Sequence, residues 1–188
     1  HGGHAEAILE RLGPDGLLAG ARAGLVYFEM STNSPALAQR LRATFAERAA
    51  HVLEAPISGG ARGALRGRLA IWVGGDKTHY DRFETVLRAM GDRPVHVGPF
   101  GSGLVTKLVH NCTSQTIQAA IAEVFVMGVK AGAEPLALWE AIRQGSIGRR
   151  RTFDGLIDQF LPGSYDTPQA ALRIIQKDMM LATDLGRK

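Results

Sequence analysis

The segment Gly101-Ser102-Gly103-Leu104-Val105-Thr106-Lys107-Leu108-Val109-His110-Asn111 stands where the pattern of this sequence changes. From Leu104 to Ala131 no proline interrupts a largely apolar run. A helix of that length, at 1.5 Å per residue, is roughly 40 Å long. Its apolarity predicts burial on most sides. Gly132 is placed to end it, and helical patterns follow over Pro135 to Gln144, Thr152 to Phe160 and Pro168 to Leu185.

Upstream of Gly98 the pattern alternates instead. Ala5 to Leu12 reads as a short helix closed by the turn Gly13-Pro14-Asp15-Gly16. Gly24 to Met30 reads as a buried strand, Ala36 to Ala50 as a helix, and His51 to Leu53 as a short strand. Pro56 to Gly67 is glycine-rich and predicts a loop. Arg68 to Val73 is a strand, Lys77 to Met90 a helix with Leu87 and Met90 on its apolar face, and Pro94 to Val97 a last strand. Alternating strands and helices imply βαβ units and a parallel sheet. The boundary therefore falls near Gly98 to Gly101. Residues 1–99 read as an α/β portion and residues 100–188 as an all-helical one.

Composition narrows the function classes. The 188 residues are 45% hydrophobic and 21% charged, ordinary for a soluble globular protein. A net charge of +4 fits an enzyme that handles anions, or plain solubility charge, and is too weak to argue for nucleic acid. A single cysteine, Cys112, excludes an intramolecular disulfide framework or a cysteine-based zinc cluster and points to a reduced, cytoplasmic setting. No apolar run approaches the ~20 residues that span a bilayer, and no signal peptide is visible. The start, His1-Gly2-Gly3-His4, reads as a tag remnant or the point where a longer chain was cut.

Three segments carry candidate chemistry. On a helix, Gly103, Lys107, His110, Asn111 and Ser114 share one face, a polar stripe in an apolar element. Lys107 in the second turn feels the positive end of the helix dipole, and burial lowers a lysine pKa further. Such a lysine exchanges protons with a hydroxyl or carbonyl near neutrality. Asn111 can both donate to and accept from a substrate oxygen. A snorkelling lysine and a loop-capping asparagine describe the same residues. The second segment, Glu54-Ala55-Pro56-Ile57-Ser58-Gly59-Gly60, offers a hydroxyl and exposed N–H groups after a strand, of the kind that bind carboxylates. A tight turn explains it equally. The third, Met30 to Pro35, lies past the carboxyl end of a strand, where doubly wound sheets bind ligands. Ser31 and Thr32 either face a cofactor there or belong to a helix N-cap.

Taken in order, these segments resemble the β-hydroxyacid dehydrogenase family, which includes 3-hydroxyisobutyrate dehydrogenase, tartronate semialdehyde reductase and, more distantly, 6-phosphogluconate dehydrogenase. The resemblance rests on Ser-Thr-x-x-Pro at Ser31 to Pro35, acidic-Ala-Pro-x-Ser-Gly-Gly at Glu54 to Gly60, and Val73-Gly74-Gly75. It continues in Gly-x-Gly-x-x-x-Lys-x-x-x-Asn at Gly101 to Asn111 and in Lys177-Asp178. It implies a Rossmann-like domain followed by a helical domain built on one long helix. It implies Lys107 as general acid/base, Ser58, Gly59 and Gly60 as the substrate-carboxylate site, and Asn111 as the substrate-orienting residue. It further implies Ser31 and Thr32 near a nicotinamide, and Lys177 with Asp178 as late cofactor contacts. The cofactor implied is NAD or NADP, the substrate a small β-hydroxy acid, and the assembly a homodimer or homotetramer.

The family's Gly-x-Gly-x-x-Gly fingerprint does not occur in these residues, so the α/β portion is expected to lack its first strands and the chain to be truncated at both ends. His110 before Asn111 resembles 6-phosphogluconate dehydrogenase, where a glutamate follows the lysine by seven residues. Ser114 stands at that position, which favours plain redox chemistry over oxidative decarboxylation. His110 either contacts substrate or is a helix-face histidine bonded to backbone. Arg149-Arg150-Arg151 is a solvated basic run or an anion contact. A non-catalytic scaffold is the remaining alternative. Retention of Lys107, Asn111 and Ser58-Gly59-Gly60 argues against it.

Overall fold

The computed structural model describes residues 16–145, 147–149, 162–164 and 172–186. The expected helices at Ala5 to Leu12 and Thr152 to Phe160, the start of the Pro168 helix, and Arg150 and Arg151 lie outside them. The elements run β1 (Val26–Glu29), α1 (Pro35–Ala46), β2 (His51–Glu54), β3 (Ile57–Ser58), α2 (Gly60–Leu65) and β4 (Ala70–Gly74). They continue with α3 (Lys77–Arg88), β5 (Arg93–Gly98), α4 (Ser102–Lys130), α5 (Pro135–Gln144) and α6 (Leu172–Gly186).

The chain divides into two compact units. The first comprises residues 1–109 and 177–188, the second residues 110–176. The expected boundary at 99/100 falls between β5 and α4. By compactness the first turns of α4 and the end of α6 go with the α/β unit instead.

In the first unit β1 pairs with β2 in parallel, Val26 opposite His51 through Glu29 opposite Glu54. β4 pairs with β5 in parallel as well. The sheet is nevertheless mixed, which corrects the all-parallel expectation. β4 runs antiparallel to β2 at Glu54↔Gly74 and to β3 at Ile57↔Ile71 and Ser58↔Ala70. The cause is chain length. Only Gly59 to Leu69 separates β3 from β4, less than the dozen or more residues a parallel crossover needs. Pro56 has no N–H to give a ladder, and it separates β2 from β3 while its carbonyl accepts from Trp72 N–H at 3.2 Å. The stretch from Pro56 to Gly67 is thus not a plain loop but holds β3 and the six-residue α2.

Side chains alternate across this sheet, as the two-residue period of a strand requires. Val26, Phe28, Leu53, Ala55, Ile71 and Val73 enter one core with Tyr80 and Leu87 of α3. Tyr27 and Val52 enter the other with Leu41 and Phe45 of α1. A sheet buried on both faces explains why its strands read as continuous apolar runs. α1 starts at Ser34, whose hydroxyl accepts from Leu37 N–H at 3.2 Å, with Pro35 in the first turn. α3 starts at Asp76, whose carboxylate accepts from Thr78 and His79 N–H.

The start of α4 joins the same unit by burying Leu104 and Leu108 against Ala38 of α1, with Leu181 of α6 alongside. In the second unit α4 turns back at Gly132, where φ is +102°, and Glu134 caps α5 by accepting from Ala137 N–H at 2.8 Å. Phe125 and Trp139 form the core of that hairpin, with Ile121, Leu138 and Ile142 packed on it. Within this single chain α4 is not buried on most sides. Val109 is 57% exposed, Val124 61% and Met127 64%.

Among the described residues no helix is long and apolar enough to cross a membrane, and no group of three His, Cys, Asp or Glu side chains is arranged to hold a metal.

Candidate active site

The start of α4, the Lys177-Asp178 pair of α6 and the segment after β1 come together around Lys107. The residue stands in the second turn of α4, between the buried Leu104 and Leu108, and is itself half-buried. Burial pushes its ammonium below the ordinary lysine range. The Asp178 carboxylate opposes that push and the Lys177 ammonium adds to it. Lys177 and Asp178 lie on α6, with Lys177 Nζ 3.0 Å from Asp178 Oδ1 and Asp178 almost wholly buried. Lys177 Nζ also donates to the Thr32 carbonyl at 3.2 Å, across 145 residues of chain. The segment after β1, the late Lys-Asp pair and the helix lysine are therefore one constellation, although they are far apart in sequence.

Ser31 and Thr32 follow the carboxyl end of β1. Ser31 is exposed and Thr32 half-buried, and Ser31 N–H donates to Glu29 Oε1 at 2.8 Å. Ser58, Gly59 and Gly60 stand at the junction of β3 and α2, Ser58 half-buried and both glycines exposed. Gly59 has φ +130° and Gly60 φ +58°, consecutive values that side chains other than glycine's strain to reach. Such turns present backbone N–H groups together, which suits a carboxylate. The charged neighbours of Lys107 come from Lys177 and Asp178, not from this turn.

Asn111 follows Lys107 by one turn of α4, half-buried, in the second unit. His110 is exposed, its Nδ1 3.0 Å from Asn111 Oδ1, so the two polar groups after the lysine are linked to each other.

In the sequence Glu54 is only the head of a motif, and neither Glu29 nor Asn33 is among the candidate site residues. All three are buried. Glu54 Oε2 accepts from Gly101 N–H at 2.7 Å and Leu104 N–H at 3.5 Å, while Oε1 has no partner among the described residues. Burial pushes the Glu54 carboxyl up, against the N–H groups of Gly101, Leu104 and Gly103 and the charge of Arg42, which pull it down. The available signal was an acidic residue directly after two buried strand positions and directly before Ala-Pro. These buried groups and Ser31 line a small cavity beside Leu104.

A larger open cavity of about 500 Å³ lies elsewhere in the first unit, lined by Arg42, His51, Asp76, His79 and Phe100 among others. None of the sequence-predicted site residues lines it. The perturbed lysine with its charged neighbours is the stronger candidate site of the two.

Comparison with known proteins identifies the family. Residues 2–98 match the family model described as the NAD binding domain of 6-phosphogluconate dehydrogenase. Residues 101–188 match that described as NAD-binding of NADP-dependent 3-hydroxyisobutyrate dehydrogenase. The chain belongs to the β-hydroxyacid dehydrogenase family. It is 32% identical over 176 residues to 2-(hydroxymethyl)glutarate dehydrogenase of Eubacterium barkeri, covering 94% of this chain and 58% of that protein. It is 32% identical over 186 residues to 3-hydroxyisobutyrate dehydrogenase of Pseudomonas aeruginosa, covering 96% and 62%. The structure of Mycobacterium tuberculosis 3-hydroxyisobutyrate dehydrogenase with L-serine superposes with a TM-score of 0.80 at 30% identity, covering 96% of this chain and 63% of that one. The chain spans about three fifths of the length of these relatives.

Proposed function

We propose that these residues are part of an NAD(P)-dependent oxidoreductase that interconverts a small β-hydroxy acid and the corresponding aldehyde or keto acid, with Lys107 as general acid/base. The observation that supports this most is the setting of Lys107. It is half-buried, its pKa is lowered, and Lys177 beside it is bonded to the segment at the carboxyl end of β1. A lysine tuned towards neutrality accepts a hydroxyl proton in the oxidative direction and returns it in the reductive one.

The residues fit a nicotinamide cofactor at one end only. Ser31 and Thr32 lie past the carboxyl end of a strand in a doubly wound sheet, the usual place for such a ligand. The glycine fingerprint that holds a dinucleotide diphosphate does not occur among the 188 residues. A bound nicotinamide supplies the hydride acceptor or donor. This chain's part is to hold the substrate carboxylate at Ser58, Gly59 and Gly60, orient the hydroxyl through Asn111, and move its proton at Lys107 Nζ. His110, 3.0 Å from Asn111 Oδ1, is proposed as a further substrate contact, with a helix-face histidine the other reading. Lys177 and Asp178 steady the cofactor-side segment and set the charge around Lys107. The full protein is proposed to work in the cytoplasm as a homodimer or homotetramer.

The test is Lys107→Ala in the full-length protein, assayed on a panel of β-hydroxy acids with NAD and NADP. Turnover should fall by roughly 10²–10⁴-fold, the share that general acid/base catalysis supplies, while cofactor affinity stays as in the wild type. Near-normal turnover sinks the assignment. Release of CO2 from 6-phosphogluconate by the wild type would favour the sugar-acid reading over the plain redox one.

A further inference from the structure

The start of α4 is held to the sheet unusually closely. A Cβ added at Gly103 would stand 2.8 Å from the Trp72 carbonyl and 3.0 Å from Gly74 N, and one added at Gly74 would stand 2.6 Å from Gly103 N. A backbone contact of that kind fixes a helix along its axis and about it. The glycines permit the approach but do not direct it. What faces the helix end is one carboxyl group. Glu54 Oε2 receives the N–H of Gly101 at 2.7 Å and of Leu104 at 3.5 Å, from a side chain that is 3% exposed. These are the first-turn donors that have no partner within a helix.

Glu54 is also the last residue of β2. Three residues on, the chain enters β3 and the Ser58-Gly59-Gly60 turn, and Glu54 faces Gly74 of β4. Glu54 thus bonds the start of the helix that carries the proposed acid/base, and it stands four residues before Ser58 of the turn proposed to hold the substrate carboxylate.

We infer that Glu54 is a positioning residue: its Oε2, by accepting the first-turn N–H groups of α4, sets where Lys107 stands relative to the Ser58-Gly59-Gly60 turn. The inference rests on the proposed role of Lys107, but its geometric core does not. What the site requires is an acceptor oxygen at the Oε2 position, not a charge. Oε1 has no partner among the described residues, and burial raises the carboxyl's pKa, so a proton on Oε1 leaves Oε2 free to accept. An amide oxygen satisfies the same requirement.

The test compares Glu54→Gln, Glu54→Leu and Glu54→Ala in the full-length protein. Glu54→Gln keeps the acceptor and should retain kcat within about threefold. Glu54→Leu and Glu54→Ala remove it and should lose roughly 10–100-fold in kcat, the scale of an ångström-sized misplacement, with cofactor KM little changed. Amide hydrogen exchange at Gly101 and Leu104 should quicken in both but not in Glu54→Gln, while β4 amides stay protected. Either variant, folded, with wild-type kcat and wild-type exchange at those amides overturns the inference. So does a folded Glu54→Gln as impaired as Glu54→Ala. If the wild type turns over no hydroxy acid, the functional reading has failed, and the exchange measurement alone decides for or against Glu54.

Discussion

Gly103→Ala probes the seating of α4 directly. Inside a helix this change gains about 1 kcal/mol of intrinsic propensity, so an isolated helix would be stabilised. Here the new methyl would lie 2.8 Å from the Trp72 carbonyl oxygen and 3.0 Å from Gly74 N. Ordinary contact begins near 3.4 Å, so the helix start must retreat by about 0.6 Å, and both obstacles are backbone atoms that cannot rotate away. Overpacking of this kind costs about 1–3 kcal/mol. The rigid neighbours put it in the upper part of that range, which leaves a net loss of about 1–2 kcal/mol after the propensity gain. At roughly 2–4 °C per kcal/mol for a chain of this size, Tm falls by roughly 2–8 °C. The displaced helix carries Lys107, so kcat should fall roughly tenfold or more. The assay pairs urea unfolding followed by circular dichroism with steady-state kinetics on the full-length protein. Gly128→Ala on the same helix is the control. Its methyl meets only the Leu138 side chain, at 2.8 Å, which can turn aside. A Gly103→Ala protein as stable as the wild type, with unchanged kcat, refutes the close-seating argument.

Two pH experiments follow from the site charges. Lys107 is disfavoured as a cation in the folded state, so its folded pKa lies below the unfolded value near 10.4. Between those two values the unfolded chain binds more protons, and stability rises with pH; below the folded value the penalty is complete. Urea midpoints of the wild type relative to Lys107→Met should therefore climb across that window, and a flat difference would contradict the burial. Lys177→Ala removes a repelling cation and Asp178→Asn an attracting anion. The limb of the kcat/KM–pH profile on which Lys107 loses its proton should move to higher pH in the first and to lower pH in the second. Shifts of the same sign in both variants would rule out the assigned arrangement.

Much of the site could be read in order along the chain, but not its connections. Ser31, Thr32, Ser58 to Gly60, Lys107 and Asn111 stand out by residue type and spacing, whereas Lys177 and Asp178 enter only through the family resemblance. Nothing local says that Lys177 Nζ reaches the Thr32 carbonyl 145 residues away, or that Asp178 is buried beside Lys107. Glu54 is the clearest omission. As a letter it was one acidic residue before Ala-Pro, and its role appears only when β2 and the start of α4 are brought face to face.

The sequence by itself determined most of the described elements and their order, β3 and α2 excepted. Hydrophobic period separates strand from helix, Pro35 announces the start of α1, and the proline-free run from Leu104 to Ala131 announces α4, because all of these are interactions within a few residues. Only the tertiary structure decided the direction of β4, the exposure of α4, and the environment of Lys107. Strand direction follows from the length of the connection it must close, exposure from what packs against a face, and a pKa from distant charges and lost water. Each is set by residues remote in the chain, whose approach no local pattern records.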